Sequence, residues 1–460
     1  MNNNRYKPRN RRVKARFPFS ALIIGLLAIT AVFSVIWAVA FNSDNFASPN
    51  KIPTENGTSV SAGSVSGTNT DSSSDVPGEL TYTETTLLVT GDVMYHSPQL
   101  DAAYYSASDE YDFTGCYKYI KDIVSGADYA IANFETTLAG NTSGYSYQGY
   151  PVFNTPDSGL SALVDAGFDM MLYANNHCYD TQHTGLIRTQ EMFRALGLDY
   201  IGARTSTSEK TYKNVKVGDV TYGMLNSTDD LAYGKTYPRT LNGITLQNGD
   251  ENLIDIFNHS LLEQFYTSAE SRIAELRAAG ADIIIYFIHW GEEYHLTHND
   301  TQGAIAQRLC DMGVDVIIGG HPHVIQDAEI LTSSDDSHKT LCFYSLGNLI
   351  SNQNRLTMGD TMNSTYTENG LIVELTVRKY SNGDCVITSV DTVPLWVHRY
   401  PDSTGRFHYE VVPVEAAVAD PASYGLYNSS FGVSHASAVA AMTGELLGGI
   451  CETFAAIGVR

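Results

Sequence analysis

"VDVIIGGHPHVIQ", residues 314–326, decides how this chain is read. An apolar run ends in two glycines, and two histidines, His321 and His323, then flank Pro322. The run has the length and composition of a buried strand. Proline disfavours a helical conformation in the residue before it, so the His-Pro-His segment is expected to be extended. Two imidazoles on an extended segment reach one centre only if the backbone bends, and the preceding glycines are the residues expected to allow that bend. The ordinary alternative is a turn with incidental histidines; the other is a metal site.

The same arrangement recurs along the chain. "TTLLVTGD" ends at Asp92, "ADYAIANFE" at Glu135 and "FDMMLYANNH" at Asn176 and His177. "ADIIIYFIHWG" carries His289 near its end, and "VTYGMLNST" and "TLCFYSLGNL" are further strands. Helical stretches lie between several of them: "DSGLSALVDAG", "HTGLIRTQEMFRALG", "AESRIAELRAAG" and "DTQGAIAQRLCDMG". The last three stop at glycine, a natural helix C-cap. This alternation predicts an α/β fold, in which ligands gather beyond the carboxyl ends of strands.

Asp92, Glu135, Asn176, His289, His321 and His323 are therefore the candidate metal ligands. Carboxylate, amide oxygen and imidazole together suit Zn, Mn or Fe better than Ca. Six donors exceed what one catalytic zinc needs and fit two divalent metal ions about 3.5–4 Å apart, bridged by a carboxylate. His177 is placed to act as general acid, with Asp180 either orienting its ring or capping the next helix. Each residue has a plainer alternative. Asp92 can cap the following element, Glu135 can pair with a surface lysine, and "ANNHCYD" can be an Asn-rich turn. His289 is either a ligand or a buried, hydrogen-bonded histidine. Around these lie expected substrate-facing or supporting residues. Trp290 and Tyr294 bracket "HWGEEY", Glu293 orients His289 or faces water, and Asn348 holds a substrate oxygen or a loop backbone.

The chain has 460 residues and a net charge of −23. Seven Lys/Arg and no Asp/Glu fall in residues 1–41, which leaves 21 basic against 51 acidic residues beyond them. A body this acidic excludes nucleic acid as a partner, because phosphate neutralisation needs clustered Lys/Arg. Residues 17–41 contain no charge and predict a transmembrane anchor, with residues 1–16 as a basic cytoplasmic tail. A cleaved signal peptide is the alternative. That topology places the rest of the chain outside the cell, on a single-pass anchor in the cell membrane. Residues 42–83 are rich in Ser, Thr, Asn and Gly and predict a disordered linker. Six scattered cysteines without CxxC spacing are expected to be free. Beyond residue 352, "GLIVELTVRKY", "CVITSVDTVPLWVHRY" and "RFHYEVVPV" predict antiparallel strands, followed by a helical "SHASAVAAMTGELLGGICETFAAIG". Residues 353–460 are expected to pack on the same domain.

The ordered series "GDVM", "NFET", "NNHCYD", "HWGEEY", "GGHPHVIQ" and "YSLGNL" resembles the CapA family of capsule or poly-gamma-glutamate synthesis proteins. The resemblance covers residues 84–352. That family is similar to calcineurin-like metallophosphoesterases, which implies a β-sandwich flanked by helices. It implies Asp92, Asn176, His289, His321 and His323 as ligands and His177 as proton donor, with Asn133 beside Glu135 in the second motif. Two departures stand out. Phosphoesterases open with Asp-x-His, whereas here Met94 holds the third place and His96 lies two residues further on. Glu135 stands where a bridging Asp is usual.

The resulting expectation is a membrane-anchored, extracytoplasmic protein of capsule or poly-gamma-glutamate synthesis, acting as a metal-dependent hydrolase with phosphoester cleavage as its template. Its expected partners are the cell membrane, an anionic polymer or phosphoester substrate, and other capsule-synthesis membrane proteins. Two alternatives remain: a non-catalytic polymer-binding or export component, and a metal-dependent amide hydrolase or transferase on gamma-linked polyglutamate.

Overall fold

Strand Ile283–His289 is buried along its whole length, with both its faces covered. Ile283, Ile285 and Phe287 point into a core shared with Leu87, Val89 and Ile131 of a second sheet. Ile284, Tyr286 and Ile288 point the other way, under helices Leu262–Ala278 and Asp300–Asp311. Period-two alternation therefore separates two cores rather than core from solvent. Each aliphatic side chain buried this way contributes about 1.5–3 kcal/mol relative to exposure.

The structure, a computed structural model, describes residues 80–142, 144–230, 239–247 and 249–454. Its architecture is mixed α/β, with two stacked sheets and helices on their outer faces. The first sheet runs in the order Phe407–Pro413, Cys385–Pro401, Asn369–Tyr380, Tyr82–Val93, Tyr129–Phe134, Met170–Leu172, Asp199–Ile201. The last four of these are mutually parallel, and the C-terminal three join them antiparallel through the Tyr82–Val93 edge. The second sheet runs Ile256–Phe257, Val220–Asp229, Ile283–His289, Val316–Gly320, Lys339–Phe343, Ala328–Thr332. Helices Asp157–Ala166 and Gln182–Ala195 cover the first sheet with Leu160, Leu163, Leu186 and Phe193. All six cysteines are free.

Helix ends follow their local chemistry. Asp157–Ala166 stops at Gly167, whose φ of +103° suits only a residue without Cβ. Asp300–Asp311 starts at Asn299, which forms a reciprocal capping box with Gln302. The C-terminal helical stretch is broken into Gly432–Leu447 and Ile450–Thr453 by Gly448 and Gly449, both left-handed.

Among the described residues, no helix is long and apolar enough to cross a membrane. The most apolar long helix, Gly432–Leu447, has 16 residues, which span about 24 Å against a hydrocarbon layer of about 30 Å. The longest, Leu262–Ala278, carries Glu263, Glu270, Arg272, Glu275 and Arg277. The basic tail, the anchor over 17–41 and the linker up to residue 79 lie outside the described residues. The expected fold class is thus corrected to a mixed α/β arrangement without a transmembrane helix among the described residues. The single-pass cell-membrane location, the extracytoplasmic body and the membrane partners are corrected likewise: they have no helix to rest on among the described residues, and the anionic-polymer partner has no support there either.

Candidate metal centre

The carboxyl ends of parallel strands from both sheets meet at one point. Asp92, Glu135 and Asn176 come from the ends of Tyr82–Val93, Tyr129–Phe134 and Met170–Leu172 in the first sheet. His289, His321 and His323 come from Ile283–His289 and the turn after Val316–Gly320 in the second. Strand pairing sets their level: Asp92 lies opposite Asn133 and Asn348, and His289 opposite Gly320.

The expected bend in His-Pro-His exists, but the glycines do not make it. His321 and His323 themselves take positive φ, +96° and +55°. That costs a non-glycine residue about 1–3 kcal/mol, strain of the kind found at functional sites. The glycines serve close approach instead. A Cβ on Gly319 would come within 1.9 Å of the Tyr344 carbonyl oxygen, and one on Gly320 within 2.9 Å of Asp92 Oδ1.

Two groups of donor atoms lie within 4.8 Å of one another: Glu135, His289 and His321, and Asp92, Glu135 and His323. All five residues are buried, and Glu135 belongs to both groups. Glu135 Oε1 lies 3.3 Å from His289 Nε2 and 3.8 Å from His323 Nε2. Two donors on a tetrahedral ion with bonds of about 2.1 Å sit about 3.4 Å apart, so the first spacing suits a shared ion. Asn176 Oδ1 lies 2.8 Å from His289 Nε2, which brings the amide oxygen to the same corner. Asp92 Oδ2 accepts from His323 Nδ1 (3.1 Å) and from the His321 backbone N–H (3.3 Å). Asn133 donates to Asp92 Oδ1 (2.8 Å) and Glu135 Oε2 (3.4 Å), and Asn175 in turn holds Asn133 Oδ1 (3.1 Å).

Buried Glu135 Oε1 and His321 Nδ1 have no hydrogen-bond partner among the described residues. Orphaned buried polar atoms are costly, and here they face other donors. No Lys or Arg pairs with Asp92 or Glu135 among the described residues; their ion-pair partners are histidines. Burial, and then the charge of Asp92, push the Glu135 carboxyl well above its usual range. Burial would raise Asp92 too, but the hydrogen bond and charge of His323, with smaller help from His289 and Asn133, hold it at about 2. Burial keeps His289 down at about 3 and His321 well below the usual range. Burial also opposes charge on His323, yet Glu135 and Asp92 carry it up to about 9. Neutral His289 and His321, the latter with an unpartnered Nδ1, beside two buried carboxylates balanced only by His323, fit a pair of divalent ions with Glu135 shared.

His177 sits beside this centre. Its Nδ1 lies 2.7 Å from Asp180 Oδ2, and its Nε2 carries no hydrogen bond among the described residues. Burial lowers the His177 pKa, but the charge and hydrogen bond of Asp180 outweigh it and raise the group above its ordinary value. The loop "YSYQGYPVFNTP" reaches the centre through Phe153, whose ring packs edge-on to His177 (4.8 Å) and His96 (5.1 Å).

The remaining expected residues divide. His96 is half-buried and belongs to neither donor group; its Nδ1 accepts from the Asn352 N–H (3.3 Å). Met94 is buried in the core. Trp290 faces the outer core, donating to the Tyr344 carbonyl (3.0 Å). Tyr294 stays near, its ring 6.4 Å from that of His323, and accepts from Gln353 (3.3 Å). Glu293 is exposed. Burial would raise it, but the charges of His323 and His321 hold its carboxyl below the usual range. Asn348 uses its amide on the His323 and Thr367 carbonyls, so it holds loop backbone. Two contributors went unnoticed in the sequence. Asn175 lay inside the Asn-rich run, and Asn242 lay in "TLNGIT", whose Asn-Gly pair is a hairpin signal.

With this geometry in hand, comparison with known proteins places the chain in a class. The family described as bacterial capsule synthesis protein PGA_cap matches residues 86–353, and the chain belongs to that family. It is 27% identical over 277 residues to the PGA biosynthesis protein CapA of Bacillus subtilis, covering 60% of this chain and 64% of that one. It is 28% identical over 284 residues to the capsule biosynthesis protein CapA of Bacillus anthracis, covering 61% and 60%. The aligned part thus spans less than two thirds of either relative. A hypothetical protein from Thermus thermophilus overlays 67% of this chain and 98% of its own, at 15% identity and a TM-score of 0.38. A likeness of that size says nothing of the reaction.

Proposed function

We propose that this chain is a metal-dependent hydrolase of capsule biosynthesis, with phosphoester cleavage as its reaction. The observation that carries the reading is the pair of buried donor groups sharing Glu135, with the His177–Asp180 pair beside them. Asp92, Glu135, His323 and Glu135, Asn176, His289, His321 would hold two divalent ions, with Zn, Mn or Fe matching the donor set. Such ions supply Lewis acidity, which activates water and offsets charge on a phosphoryl oxygen. The chain's own residues do the rest. Asn133 and the His321 backbone N–H fix the Asp92 carboxylate. Asp180 accepts from His177 Nδ1, which leaves Nε2 to carry a proton to the leaving oxygen. Phe153 packs against the imidazole and limits water on that side.

The test is metal analysis and turnover on the same preparation. Protein from about residue 80 onward, reconstituted with Mn or Zn, should bind two ions and cleave an aryl phosphate diester in a chelator-sensitive way. Metal bound without turnover of any phosphoester would refute the hydrolase reading and leave a metal-holding module of capsule synthesis.

A further inference from the structure

Residues Thr240–Leu241 and Ile244–Thr245 pair as a two-stranded hairpin whose loop is Asn242-Gly243. Both loop residues have positive φ, +46° and +72°. That is the geometry of a type I′ turn, for which Asn-Gly is favoured. Turn chemistry explains the residue type. It does not explain where the side chain goes.

Asn242 Nδ2 donates to Asp180 Oδ1 (2.9 Å) and to the Pro151 carbonyl (2.7 Å), and lies 3.3 Å from His177 Nδ1. An amide nitrogen has two hydrogens, and both are used. Asp180 Oδ2 already accepts from His177 Nδ1 and from the Phe153 N–H, each at 2.7 Å. Asp180 is therefore gripped at three points, one of them from a hairpin 62 residues further along the chain. The same amide ties down Pro151, two residues before the Phe153 ring that packs on His177.

We propose that Asn242 is a positioning residue: by fixing Asp180 and the Pro151–Phe153 loop together, it holds His177 with Nδ1 toward Asp180 and Nε2 toward the metal centre. This rests on the reading of His177 as proton donor. Asn242 is hydrogen-bonded to none of the six candidate ligands; it acts on His177 through Asp180, through the loop and through its own 3.3 Å approach to Nδ1.

Two variants separate this from a turn-forming role. Asn242→Gly removes the amide but keeps a residue that takes positive φ freely. Asn242→Asp keeps the shape and tolerates positive φ, but sets an oxygen against Asp180 Oδ1. In histidine-labelled protein, the Nδ1–H proton resonance of His177, assigned by its loss in His177→Gln, should be sharp in the native chain. It should shift or broaden in both variants. On an aryl phosphate diester with a poor leaving group, kcat should fall about 10–100-fold, the usual size for a supporting hydrogen bond at such a site. The fall should be larger for Asn242→Asp, with metal content and KM nearly unchanged. A good leaving group should show less loss. An Asn242→Asp protein with the native resonance and native kcat would overturn the proposal. If the native protein cleaves no phosphoester but the resonance still moves, positioning by Asn242 holds and the hydrolase reading fails.

Discussion

Two regions of this molecule bury histidines and carboxylates together, and they balance the charge differently. At the strand ends, Asp92 and Glu135 face His289, His321 and His323, and no Lys or Arg pairs with either carboxylate among the described residues. In the C-terminal region, Trp396 packs against His398 and His435, Glu368 lies beside His435 and Trp396, and Glu410 stands opposite His398 on the next strand. There Arg355 pairs with Glu368 (3.0 Å) and Lys118 with Glu410 (2.6 Å). Only the first region groups its donors for an ion. The residue types are the same, so the difference lies in the cations. A buried carboxylate with its own Arg or Lys is balanced within the fold; a buried pair whose partners are histidines leaves a place that a divalent ion can take.

The contrast can be broken most severely at its centre. Glu135→Ala should remove the donor common to both groups, so elemental analysis should find both ions lost and turnover at background. Asp92→Ala and His321→Ala should each lower metal content in part. Retention of two ions by Glu135→Ala would show that the groups do not share it. Next comes His177→Ala, expected to cut turnover about 10²–10⁴-fold, the usual worth of a placed proton donor. Metal content should stay nearly constant, because His177 belongs to neither donor group. Equal loss on good and poor leaving groups, with the metal gone, would instead move His177 into the ligand shell.

The C-terminal region should respond in stability, not in metal. Arg355→Met leaves Glu368 buried without its cation and should cost about 2–3 kcal/mol, below the full cost of a broken buried pair because Arg355 is partly exposed. Its metal content should equal that of the native chain, as denaturant melts beside metal analysis would show. The most gradual effect concerns pH. Burial, with the charge of Lys118, lowers His398 to about 4, and burial, with Arg355 and His398, lowers His435 to about 3. In the unfolded chain each titrates near about 6.5. Their contribution is therefore fully present above that value and is lost as pH falls toward their folded values, by at most about 1.4 kcal/mol per pH unit for each. His435→Gln should flatten the fall of Tm between pH 6.5 and 4.5; an unchanged slope would show that His435 does not titrate on unfolding.

Strand positions were legible because apolar runs of this length have few alternatives. "IIIYFIH" and "VIIGG" are strands where the pattern puts them. Helix Leu262–Ala278 starts seven residues before the stretch that reads as helical, since Glu263 and Gln264 are exposed and the adjacent buried pair Phe265 and Tyr266 sets no helical period by itself. The convergence of the six candidate ligands was legible because strand ends in α/β sheets gather on one side. The source of the bend was not. Positive φ at His321 and His323 is forced by tertiary contacts, including the Asp92 carboxylate on the His321 N–H, and local sequence carries no sign of them. Trp290 read as a cleft residue, but the residue after a strand-end histidine points to the opposite face, here into the outer core. Asn242 announced its turn and concealed its target, because hydrogen bonds across 62 residues leave no local trace.

The candidate ligands are split three and three between the sheets, and the split has a consequence in time. Asp92, Glu135 and Asn176 are synthesised first, and His289, His321 and His323 follow after a gap of more than a hundred residues. A growing chain that has reached residue 230 holds the three oxygen donors and none of the imidazoles. Oxygen donors alone favour hard ions such as Mg or Ca, while the imidazoles favour Zn, Mn or Fe. On the proposed reading of the site, the choice of metal would therefore be deferred until the second sheet has formed against the first, and a chain that stalls midway would lack half of the candidate donors.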